Sequence, residues 1–229
     1  MGVSMRIMIL GAPGAGKGTY TKGLSEALKT PLFSTGDLLR SMTTDPKLGS
    51  AIKSYLDKGM PVPDEIMIPI IKGRLESKEY QGDMIFDGDV IYNIDQAKAL
   101  EKVMKLDLVI NLVLPDSVLV KKSLGRRTCK NCGAVFNLAE INEKDIHLPA
   151  LLPKKEGICD RCGGPLYIRS DDNEEVIRTR LKIYRGRIGP VLKFYRGKGI
   201  LRDFKVTSDP DSMVRQLLKL VKKDSGSKS

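Results

Sequence analysis

Residues 11–19 read GAPGAGKGT, four glycines and a lysine in one short stretch. Glycines let successive backbone N–H groups curl around an anion, and a helix beginning inside the stretch adds partial positive charge. Lys17 supplies a full charge with the reach for β and γ phosphates. The match to G-x-x-x-x-G-K-[ST] is imperfect, because Gly18 follows Lys17 and the hydroxyl comes one place later, on Thr19. Gly14, Ala15, Gly16, Lys17, Gly18 and Thr19 are the candidate phosphate ligands, and ATP or a related triphosphate is the expected occupant. The bland alternative is a glycine-rich turn that binds nothing. A strand before it and a helix after it argue against that.

A second chemistry sits further along. Cys129-Lys130-Asn131-Cys132 and Cys159-Asp160-Arg161-Cys162 are two C-x-x-C pairs separated by 26 residues. Each pair can set two thiolates on one tetrahedral ion at about 2.3 Å, with Gly133 and Gly163 permitting the tight turns. The chain has no other cysteine, so a zinc site of four thiolates uses the whole inventory. Such a site is structural, since four thiolates leave no open position. Disulfides are the alternative, and they fit poorly with a chain that opens without a secretory signal. His147, between the pairs, is expected to be exposed in a loop and not a ligand.

These groups need elements to hold them. Apolar or β-branched runs at residues 6–10, 31–34, 84–87, 108–114 and 198–206 predict strands. Helical patterns run from the glycine loop to residue 28, then over 64–77, 95–104, 117–124, 173–195 and 211–222. Two short helices broken at Asp45-Pro46 fall between them. Strands alternating with helices predict a doubly wound α/β fold. Residues 129–162 differ in texture and read as a small insert. Residues 1–4 read as an extension ahead of a natural start at Met5, and 224–229 as a polar, disordered tail.

At 229 residues, 41% hydrophobic and 29% charged, the composition is that of a soluble globule, and no apolar stretch approaches a membrane span. The net charge of +11 suits either a nucleic acid or a polyphosphate cleft. The insert offers only Phe136 and Tyr167 for stacking bases, which weighs against nucleic acid.

The loop variant G-x-P-G-x-G-K-G-T resembles that of adenylate kinases and their nucleoside monophosphate kinase relatives. Residues 34–40 (STGDLLR) are similar to the family's S-T-G-D-x-L-R, whose Thr and Arg, here Thr35 and Arg40, hold the acceptor nucleotide. Residues 59–65 (GMPVPDE) resemble the segment whose apolar residue, here Val62, packs on the acceptor base. Asp87-Gly88 matches a strand-end pair whose Asp orients water around Mg2+, and Gln96 falls where a Gln reads the adenine edge. Gly125-Arg126-Arg127 opens a lid, Arg169-Ser170-Asp171-Asp172 closes it, and Arg178-x-Arg180 begins the next helix. The resemblance covers residues 5 to about 222.

It implies a P-loop kinase fold: a central five-stranded parallel sheet with helices on both faces. Residues 1–34, 64–125 and 170–229 would form the core, 35–63 an acceptor-binding insert, and 126–169 a zinc-bearing lid. It further implies reversible transfer of the γ-phosphoryl of ATP·Mg2+ to AMP, giving two ADP. Lys17, Asp87, Arg126, Arg169 and Arg180 would be catalytic, with Val135 and Phe136 near the donor. Gly88, Gln96, Arg169 and Arg180 would join Thr35, Arg40 and Val62 on the acceptor. A cytoplasmic monomer, with no membrane or nucleic-acid partner, is expected.

Three places depart from the pattern. After Asp-Gly the family has Phe-Pro-Arg, the Arg gripping the acceptor phosphate; here stand Asp89, Val90 and Ile91. Lys122 replaces an Arg near the donor base, and residues 206–210 (VTSDP) differ from the usual donor-base contact. Arg40 or Arg74 could supply the missing cation. Otherwise the acceptor is altered or weakly used, or the chain binds ATP without turnover. A zinc-ribbon nucleic-acid binder is a further alternative.

Overall fold

β1 (Arg6–Gly11) is buried from its second residue onward, as a strand covered on both faces must be. β2 (Leu32–Ser34), β3 (Met84–Asp87), β4 (Leu108–Val113) and β10 (Leu201–Lys205) join it in one sheet, in the order β10-β4-β1-β3-β2 and parallel throughout. The computed structural model of the chain describes residues 5–88, 91 and 93–226. The expected extension at 1–4, together with Asp89 and Val90, lies outside the described residues.

Among the described residues eight α-helices connect and flank the strands: α1 (Lys17–Leu28), α2 (Thr35–Ser41), α3 (Gly49–Asp57), α4 (Asp64–Leu75), α5 (Ile94–Val103), α6 (Asp116–Gly125), α7 (Glu174–Gly197) and α8 (Pro210–Gly226). α1 packs on α8, while α7 packs on α5 and α6, and α4 on α5. α7 buries Ile177, Leu181, Tyr184, Ile188, Val191 and Tyr195, alternating steps of four and three that make one stripe. Asn173 caps it by accepting from the Val176 amide at 3.0 Å, and Glu174 and Glu175 complement the dipole. The expected five-stranded α/β architecture is the one observed. No described helix is long and apolar enough to cross a membrane.

The register sets the site. Ile9 of β1 lies opposite Asp87 of β3, and Gly11 opposite Leu112 of β4. The glycine loop therefore leaves the sheet beside the carboxyl end of β3, at the edge where parallel α/β sheets bind ligands.

Between α6 and α7 the chain forms β5 (Arg126–Cys129), β6 (Val135–Asn137) and β9 (Leu166–Tyr167) as an antiparallel sheet, and β7 (Ile141–Glu143) with β8 (Ile146–Leu148) as a hairpin. The hairpin is not loose. Ile141 and Leu148 are buried in the main core, and Glu143 accepts from Ser117 at 3.0 Å and Lys121 at 2.6 Å on α6. The expected disordered tail needs correction over 224–226, and 227–229 lie outside the described residues. α8 continues through Gly226, Asp224 pairs with Arg202, and Ser225 Oγ donates to the Val221 carbonyl at 2.7 Å.

Candidate active site

Gly14 and Gly16 have φ of +85° and +94°, a region L side chains seldom adopt, so the loop's path requires glycine at both. A Cβ on Gly14 would also collide with Ser123 Oγ and fall 2.7 Å from the Leu119 carbonyl, both on α6. Gly16 caps α1 without any side-chain bond, and no acidic residue occupies the first turn, so nothing negative competes for that helix end. The face at Gly18 is open, with nothing within 4 Å of a built Cβ. Lys17, only 6% exposed, donates to the carbonyls of Gly11 at 2.7 Å and Ala12 at 3.1 Å. Its ammonium thus rests against the loop that it serves.

Lys122 on α6 stands against this same loop. Its Nζ is 3.5 Å from where a Gly16 Cβ would be and 6.0 Å from the centroid of the Tyr20 ring. Burial pushes its pKa down to about 8.

On the neighbouring strand, the Asp87 carboxylate is buried at the end of β3. Thr35 is fixed beside it, its hydroxyl donating to the Asp87 carbonyl at 2.8 Å. α2 begins there, with Ser34 Oγ accepting from the Asp37 amide at 3.3 Å, and Asp37 pairs with Arg40 at 2.6 Å.

Beyond α2 an open cleft has Arg40, Val62, Asp171 and Arg180 on its wall. Gly59 turns there with φ +65°. A Cβ on it would strike Val176 Cγ1 at 2.6 Å and Arg180 Cγ at 2.8 Å, so glycine lets the Arg180 stem approach the turn.

The arginines are held by acids. Arg126 makes a bidentate pair with the buried Asp172, Nε donating at 2.8 Å and Nη2 to the other oxygen. Arg180 pairs with Asp171. Arg169 Nε donates to Thr128 Oγ1 at 3.2 Å. Burial pushes the Arg169 pKa down to about 10, with the charges of Arg126 and Arg40 adding to the effect. Arg40, Arg126 and Arg169 therefore share one field, although they come from three distant segments. Ser170 donates to Asp57 on α3 at 2.9 Å, joining the segment after β9 to the insert around the cavity.

Some expected residues lie elsewhere. Gln96 is the third residue of a capping box on α5. Its Oε1 accepts from the Asn93 amide at 3.1 Å while its Nε2 donates to Asp64. With the buried Ile91 it lines a separate apolar groove between α4 and α5. Arg74 pairs with Glu79 at 3.5 Å and lies 5.6 Å from the Tyr80 ring centroid, not on the cavity wall. Val135 is exposed opposite Thr128 of β5, and Phe136 half-buried opposite Arg127.

All four cysteine sulfurs lie within 4.8 Å of one another. Cys129 and Cys162 Sγ are 3.5 Å apart, and Cys132 and Cys159 Sγ 3.6 Å, too far for disulfides. Four sulfurs about 2.3 Å from a tetrahedral centre would be about 3.8 Å apart, so the cluster fits zinc and its soft thiolate set suits that metal. The Gly133 and Gly163 amides donate back to the Cys129 and Cys159 carbonyls at 3.1 and 2.8 Å, closing both turns. The backbone N–H of Cys132 lowers the Cys129 thiol to about 6, while the neighbouring sulfurs push Cys162 up to about 12. His147, exposed on β8, is not in the cluster.

Residues 9–200 match the family model of adenylate kinase. The chain belongs to the adenylate kinase family. It is 44% identical over 203 residues to an adenylate kinase of Caldicellulosiruptor bescii, covering 86% of this chain and 89% of that protein. An adenylate kinase of Archaeoglobus fulgidus is 41% identical over 96% of this chain and 99% of its own length, and one of Streptomyces coelicolor is 39% identical over 96% and 100%. Membership makes the chain a nucleotide phosphotransferase, and the cysteine cluster fits the adenylate kinase type with a zinc-bearing lid. Sequence reasoning passed over Asp171 and Asp172 as site residues. Their signal was two adjacent acids directly after Arg169 and Ser170 and shortly before Arg178 and Arg180.

Proposed function

We propose that the chain transfers the γ-phosphoryl of ATP·Mg2+ to AMP, reversibly, giving two ADP. The observation that carries this reading is the glycine loop, its Lys17 ammonium against the loop carbonyls, set beside Asp87 and Thr35 at the carboxyl end of the sheet in a chain of this family. Arg40 belongs to the cavity, and the cavity connects to the glycine loop through Gly36, Thr35 and the end of β3. Arginines that take up the phosphates would suit an in-line transfer, where positioning and charge stabilisation dominate.

In this reading Gly14, Ala15, Gly16, Gly18 and Thr19 cradle the donor phosphates, and Lys17 turns its ammonium from the loop carbonyls toward them. Thr35, Arg40 and Arg180 hold the acceptor, with Val62 against its base. Arg126 and Arg169 neutralise the group in transit, while Asp171 and Asp172 keep their arginine partners extended until phosphate arrives. The hard carboxylate oxygens of Asp87 suit Mg2+, and Asp87 would hold the ion, which would supply charge neutralisation to the phosphates. Residues 35–63 and 126–169 act as the closing parts over a core of 1–34, 64–125 and 170–229, and closure keeps water from accepting the phosphoryl group. The four cysteines hold a structural zinc.

The test is ADP formation from ATP·Mg2+ with and without AMP. Two ADP per AMP consumed, with a negligible rate in its absence, is the expected result. A rate independent of AMP would overturn the assignment of the cavity to an acceptor.

A further inference from the structure

Lys122 stands at the glycine loop without a part in the transfer proposed above. It lies in the last turn of α6, and that helix end is seated on the loop. The Ser123 hydroxyl, which donates to the Leu119 carbonyl at 2.9 Å, occupies the space a Gly14 Cβ would need. Asn137 Nδ2 donates to the Lys122 carbonyl at 2.9 Å. The backbone of Lys122 is thereby fixed, and its Nζ reaches to 3.5 Å from the position of a Gly16 Cβ.

The amine has no carboxylate to hold it among the described residues, and its neighbour Lys121 takes Glu143 at 2.6 Å. From α1 the Tyr20 ring faces it, 6.0 Å to the centroid, and burial with the charge of Asp209 keeps the Tyr20 hydroxyl protonated. Lys17, on the same loop, is committed to two carbonyls. Lys122 is half-buried, so solvent and small reagents reach it, and burial pushes its pKa down to about 8. About a tenth of it is therefore free amine at pH 7, against about 1 in 2,500 for a lysine of ordinary pKa. Desolvation of this kind is one way a lysine becomes a nucleophile.

The loop beside it has the backbone and the helix end to seat a phosphate. We propose that Lys122 is an acylation site whose acyl donor is an acyl phosphate, the glycine loop seating the phosphate while the amine attacks the carbonyl carbon. A C–N bond forms, the C–O bond to the phosphate breaks, and the electron pair leaves on inorganic phosphate. The proton lost from nitrogen passes to water. The mixed anhydride is already activated, so no further reactant enters. The product is a neutral amide beside Gly16, which removes a positive charge from the loop and crowds the donor phosphates, so acylation turns transfer off. The proposal rests on the loop's being a phosphate site.

The probe is acetyl phosphate at neutral pH, with acetylated lysines followed over time by peptide mass spectrometry, with and without ATP·Mg2+. The phosphate-free reagent N-acetoxysuccinimide is used in parallel. With acetyl phosphate, Lys122 is expected to label at least about tenfold faster than the exposed Lys105 and Lys219, and ATP·Mg2+ to abolish that lead. The lead should be smaller with the phosphate-free reagent. Equal rates for the three lysines, a lead that ATP·Mg2+ leaves intact, or an equal lead with both reagents overturns the proposal. Lys122→Arg keeps the charge on a group that does not give up its proton. It is expected to hold most of its own starting activity through a treatment that removes most of that of the unaltered chain, and equal loss in both also overturns the proposal. An untreated chain that makes ADP while Lys122 stays unlabelled loses the acylation alone. One that labels at Lys122 as expected but makes no ADP loses the transfer reading alone.

Discussion

Asp172 is the clearest place to test how the site holds its cations. Its side chain is 1% exposed, and that of its partner Arg126 is 20% exposed. Asp172→Ala removes a bidentate acceptor and leaves a guanidinium in a largely desolvated position. Breaking one side of a buried pair costs about 3–5 kcal/mol, because the remaining charge is uncompensated. Arg126 keeps some access to water, which places the expected loss near the lower end, at about 3 kcal/mol. For a chain of this size that is a drop of roughly 6–12 °C in melting temperature. Asp172→Asn preserves shape and one acceptor oxygen and should fall between the two. The assay is thermal denaturation by circular dichroism at constant salt, with turnover measured beside it. A change below about 2 °C in Asp172→Ala would refute the claim that this pair is a buried constraint, and Arg126 would then be a cation held by the lid alone.

Four further outcomes are expected. Lys17→Met should lower turnover by at least about 10² while leaving the circular dichroism spectrum unchanged, and undiminished turnover would remove the phosphate-loop assignment. Ile91→Arg should destabilise the chain by about 3–5 kcal/mol in urea denaturation, because Ile91 is 3% exposed in an apolar groove where Lys72, the charged liner among the described residues, has the same sign. Purified protein should carry one zinc per chain by elemental analysis, and stripping it should lower the melting temperature while activity survives in the cold. Lys122 has a folded pKa near 8, below its ordinary 10.5, so the unfolded chain binds more protons between those values and stability rises with pH across that window. Lys122→Met should therefore stabilise the chain at pH 7, with the gain shrinking from about pH 8 to 10.5 in denaturant titrations; a gain that is flat with pH would contradict the burial of the ammonium.

The central strands were legible because β1, β3 and β4 are covered on both faces and read as unbroken apolar runs between turns. The glycine loop and the cysteine pairs were legible because their chemistry is local, packed into a few consecutive residues. The insert's strands were not. Each is two to four residues long, too short to show an alternating period, and the burial of Ile141 and Leu148 depends on a core that lies elsewhere in the chain. The end of α8 was misjudged because Asp224 is anchored by Arg202, 22 residues away. The proposed acceptor site was half visible. Thr35, Arg40 and Val62 follow one another closely in sequence, but the tie between Gln96 and Asp64 spans 32 residues and only the folded chain reveals it. Ile91, at a position where resemblance called for a cation, belongs to the packing of α4 on α5, a role that only burial could disclose.

The most direct measurement is a single-turnover experiment with ATP labelled in the γ-phosphate, enzyme in excess, and unlabelled AMP. Direct transfer across the cleft predicts that the label passes into the β-phosphate of newly made ADP, with inorganic phosphate remaining at background. Label released as inorganic phosphate, or retained in ATP while AMP is bound, would contradict it.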